Sequence, residues 1–158
     1  MPGMQINIGD HVSSEAGYVA FPNRHLETIR WARTKAKWIT TNINSANSYF
    51  RTLPDGRSLS DLLADSSIWV NYHATMPHFG ETNRVSGKEI AISERSFRIG
   101  RWTVLATLIH ELAHADGAPG GADKRAERAL IECGLGKRSE LTTGVDDPAT
   151  PFNPNISG

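Results

Sequence analysis

The stretch from Trp102 to Ala115 reads W-T-V-L-A-T-L-I-H-E-L-A-H-A and is strongly apolar. Its apolar residues surround His110 and His114, which are four positions apart. On a helix, residues four apart lie on the same face, so the two imidazoles can bind one metal ion. The stretch therefore predicts a buried helix that carries a candidate metal site.

The centre of this stretch, from His110 to His114, matches the pattern H-E-x-x-H. Glu111 lies beside the first histidine, where its carboxylate can take a proton from a zinc-bound water without binding the metal. A simpler interpretation is a polar pair on a half-exposed helix. A mostly buried helix rarely carries His, Glu and His unless they have partners, so the pattern favours a zinc site.

Length and composition restrict the class of protein. The 158 residues suffice for one domain with a core, so we expect a single domain over 1–158, with an N-terminal arm at 1–22 and an irregular tail at 139–158. Lys+Arg and Asp+Glu number 17 each, and this balance does not favour a nucleic-acid partner. The single cysteine, Cys133, excludes an intramolecular disulfide and is expected in the core.

The N-terminal residues contain no basic segment followed by an apolar one, so no Sec-type signal is predicted. No apolar run reaches the length needed to span a membrane. We therefore expect a protein that is cytoplasmic as made and that leaves the cell, if it does, by a specialised secretion system.

The remaining patterns predict helices and a few strands. Apolar residues recur every three or four positions from Arg24 to Phe50, which indicates one long helix with a basic outer face. Strands are expected at 68–72 and 88–93, with a loop at 75–87 between them, and a second helix at 122–133. The expected fold class is α+β, a mainly helical zincin-like domain with a small antiparallel sheet and the H-E-x-x-H helix.

A catalytic zinc site normally has three protein ligands and one open position, so a third ligand is needed. The longer motif H-E-x-x-H-x-x-G-x-x-H is excluded, because Gly120 stands where its last histidine would be. Asp123, at the start of the second helix, is the favoured third ligand, and Glu127 on the same helix face is the alternative. Asp116 is a further possibility. In a protein without a metal, Asp123 would be a helix N-cap and Glu127 a surface acid.

This order of residues resembles the aspzincin metallopeptidases, the family of deuterolysin and peptidyl-Lys metalloendopeptidase. Their third ligand is the Asp of a G-T-x-D-x-x-Y-G motif that follows H-E-x-x-H. The run from Gly120 to Glu127 reads G-G-A-D-K-R-A-E, so Gly120 and Asp123 match, whereas the Thr, the Tyr and the last Gly are replaced. A glutamate from the following helix is instead the gluzincin arrangement, which Glu127 resembles.

The resemblance implies a zinc-dependent metallopeptidase, a hydrolase in which Glu111 activates a zinc-bound water for attack on a peptide bond. The family's tyrosine, which stabilises the developing oxyanion, has no counterpart at its motif position here. Tyr72, His73 and His78 are the candidates to replace it.

The strand at 88–93 is the candidate edge for pairing with an extended substrate, with Ile90 and Ile92 on one face. The expected partners are a protein or peptide substrate and a cognate immunity or inhibitor protein. A chain of this kind is typical of a bacterial effector or toxin domain.

Two alternatives stay open. One is a hydrolase of cell-wall peptide bonds. The other is a non-catalytic binding domain in which zinc only stabilises the packing of two helices. A structural zinc site is closed by a fourth protein ligand, for which His73 or His78 is the candidate.

Overall fold

Six helices and four strands are present in the computed structural model, which describes residues 3–136, 151, 153, 155 and 156. The expected α+β class is confirmed. The tail predicted at 139–158 lies almost entirely outside the described residues. In chain order the elements are β1 (Gln5–Ile6), α1 (Asn23–Asn42), α2 (Asn44–Phe50), α3 (Leu59–Leu63), β2 (Trp69–His73), β3 (Gly80–Thr82), β4 (Glu89–Ser93), α4 (Glu94–Ile99), α5 (Arg101–Ala115) and α6 (Arg125–Glu132).

The four strands form one mixed sheet in the order β1-β2-β4-β3. β1, β2 and β4 are parallel, and only β3 is antiparallel to its neighbour. The prediction of an antiparallel sheet was therefore wrong. After β2 the chain crosses to the outer edge of the sheet and forms β3 there. It then returns as β4 between β2 and β3, so β4 runs antiparallel to β3 and parallel to β2.

The strand predicted at 88–93 exists as β4, but it is an inner strand with a neighbour on each side. Its predicted role as the substrate-pairing edge was therefore wrong. Ile90 and Ile92 are fully buried in the core, so they are not available to a substrate. The edge next to β4 is β3, which the sequence had placed inside a loop at 75–87.

The long helix predicted from Arg24 to Phe50 is broken into α1 and α2 at Ile43, whose backbone is extended (φ −118°, ψ 97°). Ile39, Ile43, Ala46 and Phe50 are all buried, so the three-to-four spacing continues across the break. One extended residue barely changes that spacing, which is why the pattern did not reveal the break. Asn42 and Asn44 flank it, and asparagine favours helix ends over helix interiors.

Helix α5 is buried on nearly every side. It contacts α1, α4 and α6 as well as β3 and β4. Leu105, Leu108, Ile109 and Leu112 are fully buried, and each such side chain contributes about 1.5–3 kcal/mol to the free energy of folding. The apolar composition of the stretch from Trp102 to Ala115 follows from this central position.

Cys133 is also buried, as the sequence predicted. No helix of the described residues is long and apolar enough to cross a membrane.

Strand β3 lies directly over α5, and Gly80 permits the approach. A Cβ at this position would lie 2.5 Å from the methyl carbon of Thr107 and 2.8 Å from the carbonyl oxygen of Ala91. Both contacts are too short for real atoms, and the second is with backbone that cannot easily move. Position 80, where β3 approaches α5, is therefore a glycine for steric reasons.

Gly80→Ala should lower the free energy of unfolding by about 1–3 kcal/mol, because the added methyl overpacks the contact between β3 and α5. Gly120→Ala is the matched control, since a Cβ there meets nothing within 4 Å. Thermal and urea unfolding of both variants measures the effect. Equal stability of the two variants would contradict this account of the packing.

Glu94 connects three elements through its carboxylate. One carboxylate oxygen accepts hydrogen bonds from the Tyr72 hydroxyl at 2.6 Å, from His25 Nε2 at 2.7 Å and from Arg24 at 3.2 Å. These donors, led by Tyr72, lower the pKa of Glu94 to about 2. Because the folded-state pKa is below the unfolded one, the carboxylate stabilises the fold above about pH 4.5 and loses this effect as the pH falls toward 2.

Glu94→Gln should lower the free energy of unfolding by about 1–2 kcal/mol at pH 7, because the amide cannot replace the carboxylate as a charged acceptor. The difference from the wild type should narrow as the pH is lowered from about 4.5 toward 2. Urea unfolding at several pH values measures it. Glu27→Gln, an exposed acid of α1, is the control, and a difference that stays constant with pH would contradict the assignment.

Candidate metal centre

The C-terminal end of α5 fixes the position of His114. Gly117, with a positive φ of 94°, ends the helix in a cap. In this cap the Gly117 N–H donates to the His114 carbonyl and the Ala118 N–H donates to the Ala113 carbonyl. The turn brings the Ala118 carbonyl oxygen 2.8 Å from His114 Nδ1. Nδ1 therefore carries the proton and donates it to this carbonyl, which leaves Nε2 of His114 as an acceptor for the neighbouring Nε2 of His110.

The two histidines of α5 present their Nε2 atoms to the same point. These atoms are 3.1 Å apart, and both side chains are half-buried. Two nitrogens bound to one tetrahedral zinc at about 2.0–2.1 Å lie about 3.3 Å apart, so the observed separation is close to that of a ligand pair. Burial lowers the pKa of His110, with a smaller contribution from His114, so His110 is held as the neutral imidazole that metals bind.

Glu111 lies between α5 and β3, where it is only 5% exposed. The Thr82 hydroxyl is 2.9 Å from its carboxylate Oε1 and 3.0 Å from its backbone carbonyl oxygen. Burial raises the pKa of the carboxyl to about 7, against the opposing effects of Thr82 and His114. A carboxyl with a pKa near neutrality can both take up and release a proton at physiological pH.

The third ligand is not in place. Within residues 3–136 and the four described positions beyond them, no group of three His, Cys, Asp or Glu side chains is close enough to hold a metal ion. Asp123 lies before α6 instead, and both of its carboxylate oxygens accept hydrogen bonds from the Arg125 guanidinium at 3.0–3.2 Å. Its Oδ1 also accepts from the Arg125 backbone N–H at 2.9 Å. The alternative role as the N-cap was wrong, because α6 begins later and its N-cap residue is Lys124.

Glu127, the alternative third ligand, is exposed in the first turn of α6. Its charge partly opposes the lowering of the His110 pKa, and His114 contributes to lowering the pKa of Asp123. Each acid therefore interacts electrostatically with one of the two histidines. The spacing of the histidine pair fits zinc, whereas neither acid is grouped with the pair among the described residues.

Asp116, the remaining candidate, is fully buried two residues after the motif. Its Oδ1 accepts a hydrogen bond from the Arg57 N–H at 3.0 Å, and its Oδ2 has no hydrogen-bond partner among the described residues. Burial raises its pKa to about 7. It connects the end of α5 to the turn at 54–57 and is not grouped with the histidines as a metal ligand.

The residues considered for oxyanion stabilisation are engaged elsewhere. Tyr72 donates its hydroxyl proton to Glu94. Nδ1 of His73 accepts the backbone N–H groups of Thr75 and Met76. His78 is exposed in the segment before β3. In the described part of the chain, neither of these histidines joins the motif histidines in a metal-binding group.

Sequence reasoning missed the residues that hold Glu111 and His114. Gly80 and Thr82 belong to a three-residue strand of mostly polar residues, which has no apolar alternation to reveal it. The β-branched Thr82 was the only local signal. The contribution of Ala118 comes from its backbone carbonyl, which does not depend on residue type.

A buried tyrosine of the N-terminal arm also lies near the site. The Tyr18 hydroxyl donates to Glu81 of β3 at 2.6 Å. Burial raises the pKa of Tyr18 most, followed by the bond to Glu81, and Glu111 contributes further. The N-terminal arm therefore covers the face of β3 that carries Glu81, and the Glu111 carboxylate lies against the opposite face, which carries Thr82.

Comparison with known proteins adds no relative to this picture. The fold and the centre are interpreted from the packing of α5 against β3 and from the contacts of the two histidines and Glu111. No protein-family model, curated protein or solved structure matches the chain.

Proposed function

We propose that this chain is a zinc-dependent metallopeptidase, with His110 and His114 as metal ligands and Glu111 as the general base. One observation carries the proposal. Two Nε2 atoms lie 3.1 Å apart on one face of a buried helix, beside a buried carboxyl whose pKa is raised to about 7. Burying polar side chains is favourable only where each has a partner, and a metal ion would be a partner that both Nε2 atoms share.

A zinc ion held by the histidines would supply a Lewis acid, which polarises a peptide carbonyl and makes water more acidic. Glu111 takes the proton from the attacking water as the oxygen bonds to the carbonyl carbon. The same carboxyl then gives that proton to the amine nitrogen as the C–N bond breaks. Thr82 keeps the carboxylate oriented through its hydrogen bond to Oε1.

The outer edge of β3 is the site we infer for the substrate backbone. The Phe79 carbonyl accepts from the Ser93 N–H, and the Asn83 N–H donates to the Glu89 carbonyl. By alternation, the backbone groups of Gly80 and Thr82 point away from β4. None of the described strands pairs with this edge. An extended peptide added here would lie alongside Glu111, which supports a peptide rather than a compact small molecule as the substrate.

Glu111→Gln should leave metal binding intact and lower peptide hydrolysis by about 100- to 10,000-fold, because the amide cannot accept the proton. Cleavage of casein, of a mixed peptide library and of cell-wall peptides, followed by mass spectrometry, measures the activity. Glu27→Gln is the control for loss of an exposed acid. A Glu111→Gln protein that cleaves as fast as the wild type would show that the assignment of the base is wrong.

Purified protein reconstituted with zinc should contain about one equivalent of metal, and His114→Ala should abolish binding. One of Asp123→Ala and Glu127→Ala should also weaken binding, and that variant identifies the third ligand. Glu27→Gln, an exposed acid of α1, is the control. Metal content by mass spectrometry measures all four variants.

Absence of stoichiometric zinc in the reconstituted wild type would contradict the metallopeptidase proposal. Binding that survives both acid substitutions but is lost in His73→Ala would favour a closed structural site over a catalytic one.

A further inference from the structure

A groove of about 220 Å³ lies between β1 and α1, at the edge of the sheet opposite to β3. Its floor is the chain from Gly3 to Ile6, and Ile8 lies at one end. Arg30 and Arg33 of α1 form its other wall. The groove thus combines a strand edge, an apolar side chain and two positive charges.

The two arginines of this groove are not neutralised. In the described part of the chain, neither guanidinium forms an ion pair with a carboxylate. Burial lowers the pKa of Arg33, and the neighbouring charge of Arg30 lowers it further. One contact fixes Arg33, whose guanidinium donates to the Met4 carbonyl at 3.2 Å. Two adjacent cations without a carboxylate form a favourable site for an anionic group.

The backbone of Ile6 is unpaired at the strand edge in the groove. Gln5 and Asn7 donate their N–H groups to β2, so by alternation the N–H and C=O of Ile6 point away from β2 into the groove. β1 is the last strand of the sheet. On its outer side the Met4 N–H donates to the Leu63 carbonyl, and none of the described strands pairs with Ile6 there. Ile8 beyond it is 52% exposed, which is unusual for a large apolar side chain next to a strand.

We propose that this groove binds an extended polypeptide segment that carries an acidic side chain. The segment would pair with the backbone of Ile6 as an added strand, and its carboxylate would meet Arg30 and Arg33. Ile8 would contact the apolar neighbour of the acidic residue.

The size of the groove favours a peptide over a cofactor. Small-molecule sites usually enclose about 300–1,000 Å³, which is more than the 220 Å³ found here. A space of this size suits one side chain of a longer ligand whose remainder lies along the strand edge. Arginine, which binds carboxylates with two parallel hydrogen bonds, is the residue best suited to hold that side chain.

This docking site is independent of the metallopeptidase proposal. β1 and β3 are the two opposite edges of the sheet, and no residue of the groove belongs to α5 or β3. A Glu111→Gln protein should therefore bind the acidic peptide as well as the wild type does, even if it cleaves nothing.

The probe is a fluorescein-labelled peptide of sequence Gly-Thr-Glu-Val-Glu-Thr-Gly, and fluorescence anisotropy measures its binding to the full chain. Arg30→Glu should weaken binding by about tenfold or more, because a charge-assisted hydrogen bond is worth about 1.5–3 kcal/mol. Lys37→Glu, an exposed residue of the same helix outside the groove, should leave the affinity unchanged. Unchanged unfolding curves of Arg30→Glu exclude a folding defect.

Two further peptides test the mode of binding. Replacing both glutamates of the probe by glutamine should abolish binding, and N-methylation of the central valine should weaken it about tenfold, because that amide pairs with Ile6. No binding of the acidic probe at about 1 mM would overturn the proposal. An equal loss of affinity in Lys37→Glu would overturn it as well, and so would an N-methylated peptide that binds as tightly as the probe. Either result would indicate a general attraction between opposite charges.

Discussion

The approach of β3 to α5 is the constraint on which the candidate centre depends. At Gly80 there is no room for a side chain between the strand and the helix. This closeness puts the Thr82 hydroxyl within hydrogen-bonding distance of Glu111 and shields that carboxyl from water. The exclusion of water in turn raises the pKa of the carboxyl.

Strong periodic patterns could be predicted from the sequence, and single-residue departures could not. The apolar stretch that forms α5 and the strands β2 and β4 were predicted because their burial repeats over many residues. The break at Ile43 and the polar strand β3 were missed, since neither changes the apolar spacing. The parallel direction of β4 was also missed, because it depends on the path of the chain outside the strands.

The candidate centre also has a part that could be predicted from the sequence and a part that could not. His110, Glu111 and His114 come from one helix, so their relation follows from helix geometry alone. A third ligand would come from another element, and its position would depend on how the segment from Gly117 to Lys124 turns. The sequence identified Asp123 and Glu127 as candidates, and in the folded chain the first is held by Arg125 and the second is exposed. Interactions between elements therefore decide what local spacing leaves open.

His114 is oriented by a backbone carbonyl, and this has an evolutionary consequence. A side-chain carboxylate in that position could be lost by one substitution, whereas every residue type at position 118 offers the same carbonyl oxygen. The orientation of the ring thus does not depend on the side chain at 118, which is restricted instead by the burial of Ala118 in the core. The orientation of the ring is instead sensitive to substitution of Gly117, because the left-handed backbone of this residue makes the turn. Among distant homologues, an invariant glycine at this position followed by a small residue at 118 would be the trace of this arrangement.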